Sequence, residues 1–182
     1  MHRRVYTDGS CLGNPGAGGW AVAFSMHDHI CGSAENTTNN IMEMTAVVNA
    51  LEECLTRGIL DIQLFTDSNY VKNGITSWIK NWKRNGWRTS SGTAVKNKHL
   101  WMRMDTLASK MNHVEWTWVK AHNGNVLNEL VDTLARDCAK NVGVRYERGS
   151  ASVVWKTRKT PDIMGWARRR VSLVTQPRET PL

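Results

Sequence analysis

Nowhere in the 182-residue chain does an apolar run reach the roughly 20 residues needed to cross a bilayer. The opening residues, "MHRRVYTDG", pass almost at once into strand-like sequence, without the apolar core of a secretory signal. A cytoplasmic protein with no membrane contact is expected. Cysteine is sparse: Cys11, Cys31, Cys54 and Cys138 lie far apart, lacking both the close paired spacing of a zinc site and the density of a disulfide scaffold. All four are expected as reduced thiols. Internal repeats are absent as well, and residues 78–101 contain no acidic side chain.

What is present is enough to build one compact core, since 41% of the chain is hydrophobic. The net charge of +8 is unevenly spread. Residues 1–140 hold 15 Lys and Arg against 13 Asp and Glu, whereas residues 141–182 hold 9 against 3. The body is nearly balanced except in "WIKNWKRNGWRTSSGTAVKNKHLW", residues 78–101, where Lys80, Lys83, Arg84, Arg88, Lys96 and Lys98 alternate with tryptophans. A solvated face usually interleaves both signs of charge. Cations mixed with aromatic rings suit a polyanion instead, because the cations displace counterions from phosphates while the rings pack on sugars and bases.

Hydrophobic periodicity divides the chain into elements. "RRVYTD", "GWAVAFSM" and "HICGSAE" read as three strands of an antiparallel meander. In "IMEMTAVVNALEECL" the apolar residues Met44, Val47, Val48, Leu51, Cys54 and Leu55 recur at helical intervals, and Gly58 supplies the stop. "DIQLFT" is a strand, "SNYVKNGITSWIKNWKRNG" a helix broken near Gly74, "AVKNKHLWMRMDTLASKM" a helix and "VEWTWV" a strand. "LNELVDTLARDCAK" is a closing amphipathic helix whose buried stripe is expected at Leu130, Leu134 and Cys138. Three strands followed by alternating helix and strand define an α/β fold: a mixed five-stranded sheet, antiparallel first and parallel later, flanked by helices. The expected domain covers residues 1–143. Residues 144–182, with basic clusters in "WKTRK" and "WARRR" and three of the four prolines, are expected to be a flexible basic extension that contacts nucleic acid or a protein partner.

Two acidic residues follow apolar runs in matching contexts, Asp8 in "TDGS" and Asp67 in "TDSN". Each has a local explanation. Asp8 could belong to an Asp-Gly turn, Glu43 could complete a capping box with Asn40, Asp67 could cap the next helix, and Asp132 could face solvent. Their joint placement suggests another cause, because neighbouring strand ends, one helix start and one helix face can gather all four carboxylates. Such a cluster repels itself unless a cation compensates. Oxygen ligands without thiolates or imidazoles point to magnesium, with manganese as the alternative. Two ions about 4 Å apart would serve an in-line phosphoryl displacement.

The motifs "YTDGSCLGNPGAGGW", "TTNNIMEMTAVVNAL", "TDSNYVKNGITSWIKNWKRNGW", "VKNKHLW" and "WVKAHNGNVLNELVDTLA" together make residues 3–142 resemble ribonuclease H of the type 1 class. The resemblance implies the ribonuclease H-like fold and endonucleolytic hydrolysis of the RNA strand of an RNA/DNA hybrid, leaving 5′-phosphate and 3′-hydroxyl ends. It implies Asp8, Glu43, Asp67 and Asp132 as the metal-binding catalytic carboxylates, holding two Mg2+ or Mn2+ ions with substrate, and His122 as a loop histidine that assists proton transfer or product departure. Cys11, Asn14, Asn39, Asn40, Met42, Asn69 and Asn128 match substrate-contacting positions. Trp78 and Trp82, with Lys83 and Arg84, match the basic protrusion that grips the DNA strand; Trp101, Trp116 and Trp118 are expected in the core. Ala121 and the loop "HNGNVLN" depart from the usual glycine and proline-bearing loop, and Asn69 replaces a commoner glutamine. A monomer of bacterial or phage-like form is expected, acting in primer or R-loop removal. Two other classes share some of these features: a noncatalytic hybrid-binding module, and a DNA-cutting relative such as an integrase or transposase domain.

Overall fold

A computed structural model describes residues 2–142 together with the backbone of two short strands in the C-terminal region. Three strands open the chain, β1 (Arg3–Cys11), β2 (Gly16–Ala23) and β3 (His29–Thr37), each antiparallel to the one before it. Helix α1 (Asn39–Thr56) then carries the chain back so that β4 (Asp61–Thr66) pairs parallel with β1. Next come α2 (Asn69–Asn73), a π-helical turn at Gly74–Trp78, and α3 (Ile79–Arg84). Helix α4 (Lys98–Ser109) leads to β5 (His113–Trp118), which pairs parallel with β4, and α5 (Val126–Lys140) follows. The sheet order is β3-β2-β1-β4-β5. This is the expected mixed five-stranded sheet. A separate antiparallel pair is formed by β6 (Val153–Lys156) and β7 (Arg170–Leu173). The expected domain boundary and the flexibility of the basic extension otherwise lie outside the described residues.

Strand alternation assigns each face of the sheet to its own core. On one face Val5, Trp20, Val22, Ile62 and Leu64 pack with the apolar stripe of α1 and with Trp101 and Met104 of α4. On the other face Tyr6, Ala21, Ala23, Cys31 and Phe65 meet Val131, Ala135 and Cys138 of α5. Where α5 crosses β2 and β3 the strand residues of the second core are small: Ala21, Ala23 and Cys31. At Gly19 a Cβ would lie 2.1 Å from the Ala135 carbonyl oxygen and 2.8 Å from the Cys138 Cβ, so α5 can rest on β2 only where the side chain is absent. Among the described residues, no helix is long and apolar enough to cross a membrane.

The two helix starts next to the acids, those of α1 and α2, are set by hydroxyl caps. The Thr38 hydroxyl accepts from the Ile41 amide to open α1, and the Ser68 hydroxyl accepts from the Val71 amide to open α2. The capping explanations for Glu43 and Asp67 therefore fail. So does the turn explanation for Asp8, which lies inside β1 opposite Ala21. Two other expectations are corrected. The buried stripe of α5 includes Cys138 as expected, but its other members are Asn128, Val131, Ala135 and Ala139; Leu130 and Leu134 lie at its margin, because only small or slender residues fit against the glycine-notched sheet. Trp118 is not a core residue: at 39% exposure it stands at the end of the outer strand β5, whereas Trp101 is fully buried and Trp116 packs against the core from its edge.

Candidate active site

Parallel pairing of β1 with β4, with Tyr6 opposite Phe65, brings Asp8, still within β1, level with Asp67, the residue just after β4. The Thr7 hydroxyl donates to the Phe65 carbonyl at 3.1 Å and ties the two strand ends together. Glu43 arrives from α1, and Gly9 is what lets it arrive. A Cβ on residue 9 would stand 2.2 Å from the Glu43 amide nitrogen and 2.3 Å from the Met42 carbonyl carbon. The first turn of α1 therefore rests directly on the β1 backbone beside Asp8. Carboxylate oxygens of Asp8, Glu43 and Asp67 all lie within 4.8 Å of one another.

The electrostatics follow from that crowding. Burial, then repulsion from Asp67 and Asp132, pushes Asp8 up to about 8. Glu43 is fully buried and stands well above the usual carboxylate range for the same reasons, burial first and the Asp8 and Asp67 charges next. Asp67 is raised more moderately, burial being partly offset by a hydrogen bond from Asp8. Metal-free, the cluster retains protons that isolated carboxylates would release. The Glu43 Oε2 atom is buried without a hydrogen-bond partner, as is Asn128 Oδ1 on α5. A hard cation fits both observations, because it would supply the charge and the missing partner.

Asp132 stands beside this trio rather than in it. Its charge acts on Asp8 and Asp67, yet its Oδ2 is engaged by the Arg136 guanidinium at 2.5 Å and faces His122 Nδ1 at 4.0 Å. His122 has a left-handed backbone (φ 54°) in the loop before α5, and its side chain is 70% exposed.

The other predicted residues fall into three groups. Around the β1–β2 loop, Cys11 donates to the Thr37 carbonyl at 3.3 Å and Asn14 Oδ1 accepts from the Asn39 amide at 2.9 Å, so loop and helix start hold each other in place. Asn39, Asn40 and Asn69 are exposed, while Met42 is buried beneath Gly18 and Asn128 is buried on α5. Trp78 and Trp82 stack edgewise with Tyr70 and Trp101, so the protrusion's rings are continuous with the core. Arg84 is exposed, but Lys83 is paired with Asp105 at 2.9 Å, which removes one cation from the basic face.

Two contributors escaped sequence reasoning. Arg136 lies four residues after Asp132 on α5, a spacing that signals an ion pair on any helix. Trp118 Nε1 donates to the Asp67 carbonyl at 2.9 Å, a contact that requires knowing β4 and β5 are neighbours.

A mixed sheet that gathers three carboxylates where two parallel strands run side by side offers the hard oxygen ligands that suit a divalent cation. Residues 2–140 match the family model described as RNase H. A ribonuclease H of Wolbachia sp. subsp. Drosophila simulans is 53% identical over 135 residues, covering 72% of this chain and 91% of that protein. Among solved structures, LC9-RNase H1, a type 1 RNase H, is 33% identical with a TM-score of 0.65, covering 75% of this chain and 71% of that one. LC11-RNase H1, solved in complex with RNA/DNA hybrid, shares the fold at 18% identity and a TM-score of 0.57, covering 76% and 97%. The chain belongs to the RNase H family.

Proposed function

We propose that the protein hydrolyses the RNA strand of RNA/DNA hybrids, leaving 5′-phosphate and 3′-hydroxyl ends without strong sequence preference, with Mg2+ as its ion and Mn2+ as a substitute. The observation that carries this reading is the convergence of Asp8, Glu43 and Asp67 within 4.8 Å around an unpartnered buried oxygen. Two divalent ions would, when bound, supply activation of the attacking water and stabilisation of the leaving 3′ oxygen. Asp8, Glu43, Asp67 and Asp132 would hold them.

The remaining chemistry belongs to the chain's own groups. Cation binding and carboxyl deprotonation are coupled, so Asp8 and Glu43 release their retained protons as the site loads. His122, exposed on its loop and facing Asp132, is placed to take up a proton and pass it to solvent. Asn14, Asn39, Asn40 and Asn69 offer amides to ribose hydroxyls and minor-groove edges, so RNA can be required without reading sequence. Cys11 and Asn14 brace the loop that presents them, Met42 supports it from beneath, and Asn128 lines the α5 side. Trp78, Trp82 and Arg84 form the contact to the DNA strand, with Lys83 available once its pair with Asp105 opens. The chain works as a monomer in the cytoplasm, removing primers and R-loops, and its basic extension adds contact to nucleic acid.

The test is incubation with a labelled hybrid, an RNA duplex, a DNA duplex and single strands, each with magnesium and with EDTA. Magnesium-dependent cutting confined to the hybrid's RNA strand is expected. Binding without cutting in either metal would instead mark a noncatalytic hybrid-binding module, and cutting of all-DNA duplex would mark a DNA nuclease.

A further inference from the structure

The sulfurs of Cys31 and Cys138 meet inside the core beneath α5, 2.9 Å apart, although 107 positions separate them in the chain. Both are free thiols and both are buried, with exposures of 1% and 2%. Cys31 lies on β3, an outer strand of the five-stranded sheet, and Cys138 lies in the last turn of α5. The notch at Gly19 lets the helix come down far enough for the two to touch. The other cysteines have no such neighbour. Cys11 donates to backbone carbonyls beside the substrate loop, and Cys54 is packed in the core on the opposite face of the sheet.

We propose that Cys31 and Cys138 form an oxidative modification site, at which a hydroperoxide converts the thiol pair into an intramolecular disulfide that fastens α5 to β3. A disulfide bond is about 2.05 Å long, so the sulfurs need approach by only about 1 Å, a shift that small side-chain rotations supply. The hydrogen bond already present assigns roles. Cys138 is the donor and Cys31 the acceptor, so the Cys138 proton is held between the two sulfurs. That hydrogen bond, with burial, keeps the Cys138 thiol protonated. Cys31 is thus the attacking sulfur and Cys138 the resolving one.

The step balances. With hydrogen peroxide, the Cys31 thiolate attacks one oxygen and the O–O bond breaks; hydroxide departs and takes the proton that the Cys31 thiol had released, becoming water. Cys31 is left as a sulfenic acid. The Cys138 sulfur then attacks Cys31 Sγ, the S–O bond breaks, and the leaving hydroxide takes the Cys138 proton to form a second water. The two sulfurs give up two electrons and the peroxide receives them. Access comes from the location of the pair, because the last turn of a helix opens at little cost and a hydroperoxide is small enough to enter through that opening.

The site lies outside the carboxylate cluster, so the bond ties down the helix that carries Asp132 without consuming a group of the proposed nuclease chemistry. It also closes a loop across most of the domain, which restricts the unfolded chain. The test treats the reduced full-length protein with hydrogen peroxide, alkylates it, digests it and maps the peptides by mass spectrometry. A Cys31 peptide joined to a Cys138 peptide, two hydrogens lighter than the separate pair, is expected. Thiol titration after denaturation should fall from the four free cysteines to two and return with dithiothreitol. The unfolding midpoint of the oxidised form should stand roughly 5 °C or more above the reduced form. In Cys138→Ser a sulfenic acid should be trapped at position 31 by dimedone; in Cys31→Ser none should be trapped at position 138. Four surviving thiols, separate oxygen adducts on the two peptides, or a link through Cys11 of two molecules would overturn the proposal. Because the wild-type peptide map needs no variant, misfolding of either serine mutant leaves the test intact, and hybrid cleavage measured alongside keeps it separate from the fate of the nuclease reading.

Discussion

At Asp8 the proposed function and the stability of the metal-free chain pull in opposite directions. Its carboxyl is buried and pushed up to about 8 by burial and by Asp67 and Asp132. Asp8→Asn should abolish hybrid cleavage while preserving hybrid binding, and should stabilise the metal-free protein by about 1 kcal/mol or more, the scale of one unit of relieved repulsion. Calorimetry of both proteins in EDTA, beside a cleavage assay, checks both halves. Arg136→Ala should act in the opposite sense, leaving Asp132 without its counter-charge; a loss of about 0.5 kcal/mol in metal-free stability is expected for an i,i+4 pair, read by urea unfolding. The trio of Asp8, Glu43 and Asp67 was legible in sequence because two strand ends and a helix start each carried an acid in a recognisable motif. Arg136 was not, because an Asp followed four residues later by Arg is common on solvent-facing helices and becomes informative only once Asp132 is seen beside the trio.

At the level of elements, the contact between α5 and β2 is the tightest constraint described. Gly19→Ala should destabilise the protein by about 1–3 kcal/mol, as overpacking does, because the added Cβ meets helix backbone rather than a movable side chain. A denaturant midpoint lowered without change in slope would confirm it, and an unchanged midpoint would mean that α5 shifts freely. Helices and strands were largely readable from periodicity, since both cores impose it: Val5 and Tyr6, or Trp20 and Ala21, alternate faithfully between faces. Trp118 was misread because alternation tells which residues share a face but not whether an outer strand's face is covered there. The α5 stripe was misread in part for a related reason: leucines attract attention on a helical wheel, but the small strand residues beneath α5 select Val131 and Ala135 beside the expected Cys138.

For the whole molecule, the clustered acids govern the response to pH. Asp8, Glu43 and Asp67 all have folded values above their ordinary ones, so between the ordinary carboxylate range and about 8 the folded chain holds protons that the unfolded chain has released. Stability of the metal-free protein should therefore fall as pH rises through that window. Divalent metal should restore it most at the alkaline end, where protons no longer compete. Thermal midpoints measured from pH 5 to pH 9, with EDTA or Mg2+, would show the two curves diverging; parallel curves would remove the electrostatic account. Salt reports on the other end of the chain. Residues 141–182 carry 9 basic against 3 acidic residues. A chain ending at residue 143 should bind hybrid more weakly and with a shallower log–log salt slope than the full chain while still cutting, and an unchanged slope would show that the extension does not neutralise phosphates.

The order in which the sheet and its helices are threaded also bears on the protein's own synthesis. The trio of carboxylates is complete once β4 has been made, but Asp132 and the only described helix on the second face both belong to α5, the last element of the domain. A nascent chain lacking α5 leaves Ala21, Ala23 and Cys31 uncovered and has no fourth carboxylate beside the other three. Covering of the second face and arrival of Asp132 thus coincide at the end of translation of the domain, so under the proposed mechanism an interrupted polypeptide lacks both at once.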